Sequence, residues 1–102
     1  LQIDGNIADV CSPYPIAEKF KAFNFETIEI NAHDFDEIAA AFKKAKEIKG
    51  KPTAIIAKSV KGKGVSFMEN QAGWHGKAPN DEQFAVAMAD LEKISEELEK
   101  EA

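Results

Sequence analysis

Glu26-Thr-Ile-Glu-Ile-Asn-Ala-His-Asp-Phe-Asp-Glu-Ile-Ala-Ala-Ala-Phe-Lys-Lys-Ala-Lys-Glu-Ile-Lys-Gly-Lys-Pro-Thr-Ala-Ile-Ile-Ala57 changes its hydrophobic period twice. Over 26–30 polar and apolar side chains alternate with a β-branched bias, the pattern of a short strand. Asn31-Ala-His-Asp34 reads as a turn in which Asp34 and Glu37 have the spacing of a capping box. Phe35, Ile38, Phe42, Ala45 and Ile48 then recur at three and four residues, which predicts the apolar side of a helix ending near Gly50. Residues 53–57, after Pro52, form a continuous apolar run that suits a strand covered on both faces. Strand, helix and strand in that order predict a βαβ unit with a right-handed crossover and parallel strands.

Working outward, Ser12-Pro-Tyr-Pro15 can open a helix, because proline is tolerated in a first turn where its missing N–H would be unpaired anyway. Ile16, Phe20 and Phe23 share its apolar side. Gln2-Ile-Asp4 reads as a further strand. Downstream, Asn80 and Gln83 predict the cap of a last helix striped by Phe84, Ala87, Met88, Leu91, Ile94 and Leu98, with a charged, solvated tail. The expected fold is α/β, a parallel β-sheet with helices on both faces. Three strands leave two open edges, and the apolar 53–57 run needs cover on both sides. The chain, which starts at Leu1 in a strand-like segment, is therefore expected to be an incomplete portion of a domain.

Composition narrows the function classes. The 102 residues are 44% hydrophobic and 30% charged, too apolar for a disordered chain and short enough for one small domain. Eighteen acidic residues against thirteen basic ones, all lysine, give a net charge of −5. That balance repels polyphosphate and provides no guanidinium for base readout, so nucleic acid is not an expected partner. The single cysteine, Cys11, excludes an internal disulfide, fits a reducing compartment, and is expected to be a small, semi-buried side chain. No apolar run has the length of a membrane span and none follows a basic leader, so a soluble protein is expected.

The stretch 58–79 holds four glycines, the only tryptophan and one of two histidines, with no sustained period. Ligands in open α/β sheets bind beyond the carboxyl ends of strands, where this loop begins. Gly62 and Gly64 allow close backbone approach, and Lys61 and Lys63 bring positive charge, so a diphosphate-like anion suits the loop; a solvated turn has the same composition. Trp74-His75-Gly76 can set a titratable imidazole against a ligand, or the ring can anchor the loop and the histidine brace it. His33 is read as assisting its turn. Two histidines and one cysteine argue against a self-contained transition-metal site.

Taken together, Leu1-Gln-Ile-Asp-Gly5, Ala17-Glu-Lys-Phe-Lys-Ala-Phe23, Ile28-Glu-Ile-Asn-Ala-His-Asp34, Lys51-Pro-Thr-Ala-Ile-Ile-Ala-Lys58, Val60-Lys-Gly-Lys-Gly-Val-Ser-Phe-Met-Glu-Asn70 and Trp74-His-Gly-Lys-Ala-Pro79 closely resemble the transketolase family. The likeness is to the N-terminal subunit of split transketolases. It implies that 1–102 is a single domain fragment, the second half of the thiamine-diphosphate-binding domain, a three-layer fold. It also implies thiamine diphosphate with Mg²⁺ or Ca²⁺ as cofactors, and transfer of a two-carbon ketol unit between sugar phosphates, a step of the cytoplasmic pentose phosphate pathway. By the same resemblance Leu1 offers a backbone carbonyl to the metal, Ile3 lies beside the cofactor, Lys61 contacts the diphosphate, and His75 touches cofactor and sugar and takes part in catalysis. The implied partners are a second copy of this chain and the C-terminal transketolase subunit.

Asn24 stands where the family often has glycine, Asn31-Ala32 replaces an Asp-Gly, and Ser12-Pro-Tyr14 differs from the family pattern. The family's glycine-rich diphosphate motif, first metal carboxylate and substrate histidines belong before Leu1, and the glutamate that activates the aminopyrimidine belongs to the partner. The isolated chain is thus expected to be inactive. Two alternatives stay open: another thiamine-diphosphate enzyme such as deoxyxylulose-phosphate synthase, or a non-catalytic α/β module binding an anion or a partner.

Overall fold

β1 (Glu26–Asn31) and β2 (Thr53–Lys58) pair in parallel, in a register running from Glu26 opposite Thr53 to Asn31 opposite Lys58. The computed structural model describes residues 1–101. The crossover between the strands is α3 (Phe35–Glu47), so the βαβ unit expected over 26–57 is present almost to the residue. α3 packs against β1, while α2 (Ile16–Ala22) packs against β1 and β2. The remaining elements are α1 (Ile7–Cys11), a 3₁₀ turn at Ala72–Trp74 and the long α4 (Asp81–Glu101).

Local chemistry explains the boundaries. Asp34 caps α3, its carboxylate accepting from the N–H groups of Asp36 at 2.9 Å and Glu37 at 3.0 Å. Glu37 does not close the expected capping box; its carboxylate reaches back past Asp34 to the Asn31 N–H at 2.6 Å. Asn31 in turn accepts from the His33 N–H, so it does the turn-forming work an aspartate would do there. The box at α4 is complete: Asn80 and Gln83 exchange side chain-to-backbone bonds of 3.0 and 2.9 Å. Asn24 ends α2 with φ +66°, the Phe25 N–H reaches the Phe20 carbonyl, and the two rings meet edge-on at 5.2 Å. Asparagine tolerates this left-handed position, which accounts for its presence where glycine is common. Replacing Asp34 by alanine should cost about 1 kcal/mol of stability. Urea unfolding of Asp34→Ala and Asp34→Asn would show it as a loss confined to the alanine variant.

Three expectations are corrected. Residues 2–4 do not form a strand: Gln2 and Gly5 exchange backbone hydrogen bonds of 2.9 and 3.2 Å and close a turn over Ile3 and Asp4, with Gly5 at φ +140°. A segment that satisfies its own backbone in a four-residue turn has no ladder left to offer a sheet. The described sheet accordingly has two strands. The helix after the prolines starts at Ile16: Pro15 stands before it as an N-cap with extended backbone, ψ 122°, so neither proline occupies the first turn. Cys11 is exposed, at the end of a five-residue helix that buries nothing.

Burial is sparse. Among the described residues the buried apolar ones are Ala41 and Ala87, whereas Phe23 and Phe35 are 79% and 78% exposed and Phe42, Phe84 and Met88 are exposed too. The β2 run is only half-buried. The chain forms two compact units, one joining Leu1–Val10 to the residues from Val60 onward and the other comprising Cys11–Ser59. No described helix is long and apolar enough to cross a membrane.

Candidate functional site

The loop that follows β2 folds on itself. The Asn70 N–H donates to the Lys61 carbonyl at 2.9 Å and closes its base. Gly62 at φ +74° and Gly64 at φ +94° make the reversal that L side chains resist, and a Cβ on Gly62 would come 2.5 Å from the Met68 carbonyl oxygen. The Gly64 N–H donates to the Glu69 carboxylate at 3.0 Å. Beyond it, the Trp74 indole donates to the Phe67 carbonyl at 3.0 Å and its ring lies 5.1 Å from that of Phe67. Trp74 thus fastens one end of the loop to its middle.

This folding brings Lys61 and His75 together, with Lys61 Nζ 3.3 Å from His75 Nδ1. An ammonium group has protons to give and no lone pair, so Nδ1 accepts, and a neutral imidazole in that contact carries its proton on Nε2. The pair therefore presents a cation and a ring N–H donor side by side. His75 is exposed and Lys61 half-buried. The two lysines of the Lys-Gly-Lys-Gly run have separated: Lys63 pairs with Glu69 at 3.3 Å, so Lys61 is the one directed to the histidine. Lys77 sits over the Trp74 ring, 5.2 Å from its centroid, and adds positive charge to the same segment.

Leu1 and Ile3 belong to the same compact unit as this pair, and Ile3 is 60% exposed on its turn. No hydrogen bond or ion pair joins either of them to Lys61 or His75 among the described residues. His33 lies in the other unit, in the turn before α3. No group of three His, Cys, Asp or Glu side chains gathers as a metal would require among the described residues. A cleft of about 490 Å³ lies beside Lys21, Glu26, Glu29 and Lys51, but it is lined by charged groups that solvent reaches. Its main feature is the Glu26–Lys51 pair at 2.7 Å, whose hydrogen bond holds the Glu26 carboxyl below its ordinary range.

Two carboxylates that composition did not single out hold the loop. Glu69 does so from within. Asp90, on α4, accepts from the Ser66 N–H at 2.8 Å, and bonds from the Ser66 hydroxyl and N–H hold its carboxyl below the usual aspartate range. In a chain with eighteen acidic residues neither has a distinguishing spacing, and Asp90 meets Ser66 only through tertiary folding.

A cation, a ring donor and a glycine-turned backbone are the groups a diphosphate calls for, so the residues present fit the cofactor expected from the sequence. Residues 1–93 match the family described as transketolase, thiamine diphosphate binding domain. The chain belongs to that family. Over 93 residues it is 37% identical to the 6-deoxy-6-sulfo-D-fructose transketolase subunit SqwG of Clostridium sp. (strain MSTE9), covering 91% of this chain and 34% of that protein. It is 35% identical over 101 residues to an apulose-4-phosphate transketolase subunit of Phocaeicola vulgatus, covering 99% of this chain and 36% of that one. The chain thus spans about a third of the length of these relatives. In fold it is similar to the transketolase from Leishmania mexicana, with a TM-score of 0.59 at 23% identity over 98% of this chain and 18% of that structure.

Proposed function

We propose that the chain contributes the second half of the thiamine-diphosphate-binding domain to a transketolase that moves a two-carbon ketol unit between sugar phosphates. The observation that carries this reading is the Lys61–His75 contact on a glycine-turned loop, within a chain of this family. Lys61 pairs with the diphosphate. His75, with its proton on Nε2, would donate to the diphosphate or to the sugar and could serve there as the group that gives or takes a proton. Thiamine diphosphate, when bound, supplies the nucleophilic carbon that carries that unit. The Leu1 carbonyl would offer one oxygen to Mg²⁺ or Ca²⁺, and Ile3 would lie beside the cofactor.

Other chain must complete such a site, since a magnesium ion near six-coordination needs more than one carbonyl. The open phenylalanines of α2 and α3 support the same view, because exposed aromatic surface on this scale is normally covered. Two relatives are named as transketolase subunits, which supports assembly with a companion subunit. A second copy of the chain, the C-terminal identity of that companion and a cytoplasmic setting belong to the proposal through the family resemblance alone. No observation favours deoxyxylulose-phosphate synthase or a non-catalytic anion-binding module.

Calorimetry and a coupled assay test the reading. The full-length protein with its partner should bind thiamine diphosphate in the presence of Mg²⁺ and transfer ketol units from a ketose phosphate to an aldose phosphate. The 102-residue chain alone should bind weakly and transfer nothing. Tight, magnesium-dependent binding to the isolated chain would contradict the division of the site, and absence of transfer by the assembled protein from any ketose phosphate would contradict the activity.

A further inference from the structure

We propose that Asp90 is a positioning residue that holds the Lys61–His75 pair in place for an anionic ligand by tethering the loop at Ser66. The proposal rests on the reading of that loop as part of the thiamine diphosphate site.

Most of the loop's bonds join it to itself: Asn70 to Lys61, Gly64 to Glu69, and Trp74 to Phe67. Such bonds fix the loop's shape and leave its placement free. Placement comes from α4. Asp90 receives the Ser66 N–H, and Gly64 lies so close to Leu91 and Ile94 that an added Cβ would come 3.3 Å from Leu91 Cδ2 and 3.5 Å from Ile94 Cδ1. Asp90, Leu91 and Ile94 thereby form a seat, of which Asp90 is the directional part.

What the seat holds is the stem shared by both functional side chains. The N–H groups of Met68 and Glu69 both donate to the Val65 carbonyl, so residues 65–69 make one turn around Ser66. Lys61 is joined to that turn through Gly62, which packs on Met68, and through Asn70. His75 is joined to it through Trp74 and Phe67. A shift at Ser66 therefore moves both partners of the pair, although Asp90 touches neither.

The test uses the full-length protein in complex with its partner, with thiamine diphosphate and Mg²⁺ as the probe. Asp90→Ala should raise deuterium exchange over residues 62–68 and weaken thiamine diphosphate about tenfold, the scale of one lost hydrogen bond to a charged group. Melting should change little. Asp90→Asn keeps an oxygen for the Ser66 N–H and should recover most of the affinity, which a role in bulk charge would not allow. Should Asp90→Ala fail to fold, Ser66→Ala, which removes only the hydroxyl, should show a smaller loss in the same direction. Unchanged affinity in a folded Asp90→Ala protein, or unchanged exchange over 62–68, overturns the proposal. Lys61→Ala separates the two levels: if it weakens binding while Asp90→Ala does not, only the tether fails, and if both are silent the diphosphate reading fails with it.

Discussion

His75→Ala in the assembled enzyme is expected to lower turnover roughly 10²–10⁴-fold, the usual scale for a positioned acid–base group, with a much smaller change in cofactor affinity. The size follows from the ring's position. Nδ1 is engaged by Lys61 Nζ at 3.3 Å, so on the proposed function the Nε2 proton would be the group offered to a substrate. The imidazole is exposed on the loop and buries no core, so its loss should leave melting nearly unchanged. If His75 served only to brace Lys61, the pattern would invert. Stability or cofactor affinity would fall while turnover of the folded, cofactor-saturated enzyme stayed near wild type. Steady-state rates at saturating thiamine diphosphate, beside melting curves, separate the two.

Gly62→Ala should be nearly as damaging by a different route. Its φ of +74° already disfavours a side chain, and the added Cβ would stand 2.5 Å from the Met68 carbonyl oxygen, a backbone atom that cannot swing aside. The loop must reopen, and the closure between Asn70 and Lys61 goes with it. The expected result is a loss of measurable thiamine diphosphate binding at concentrations that saturate the wild type, in a protein that still shows its α-helical circular dichroism. Gly73→Ala is the control, since a Cβ there meets nothing within 4 Å. Equal binding by both variants would mean that the reversal at Gly62 does not shape the site.

The strength of the sequence pattern tracks how local the underlying physics is. Residues 26–57 were readable because the alternation of β1, the spacing of α3 and the Asp34 cap all act over a few positions. The same holds for the reciprocal Asn80–Gln83 box. At the start of the chain, alternation in Leu1-Gln-Ile-Asp competes with the turn preference of Asp4-Gly5, and the turn prevails because it satisfies the backbone within four residues. The short α1 carried a weak signal in Asn6, whose side chain accepts from the Ala8 N–H at 3.4 Å. In the site, Lys61 and His75 stood out by residue type and by resemblance to the family. Their meeting across fourteen positions, the diversion of Lys63 to Glu69 and the tether from Asp90 depend on how the loop closes, which no spacing encodes.

On the proposed function, this loop anchors a diphosphate through Lys61. Titration of thiamine diphosphate into the assembled enzyme at fixed Mg²⁺, wild type against Lys61→Ala, tests it most directly. A charge-assisted bond to phosphate is worth roughly 1.5–3 kcal/mol, so the variant should bind about ten- to a hundredfold more weakly, with turnover at saturation falling far less than in His75→Ala. Indistinguishable dissociation constants for the two proteins would contradict the assignment.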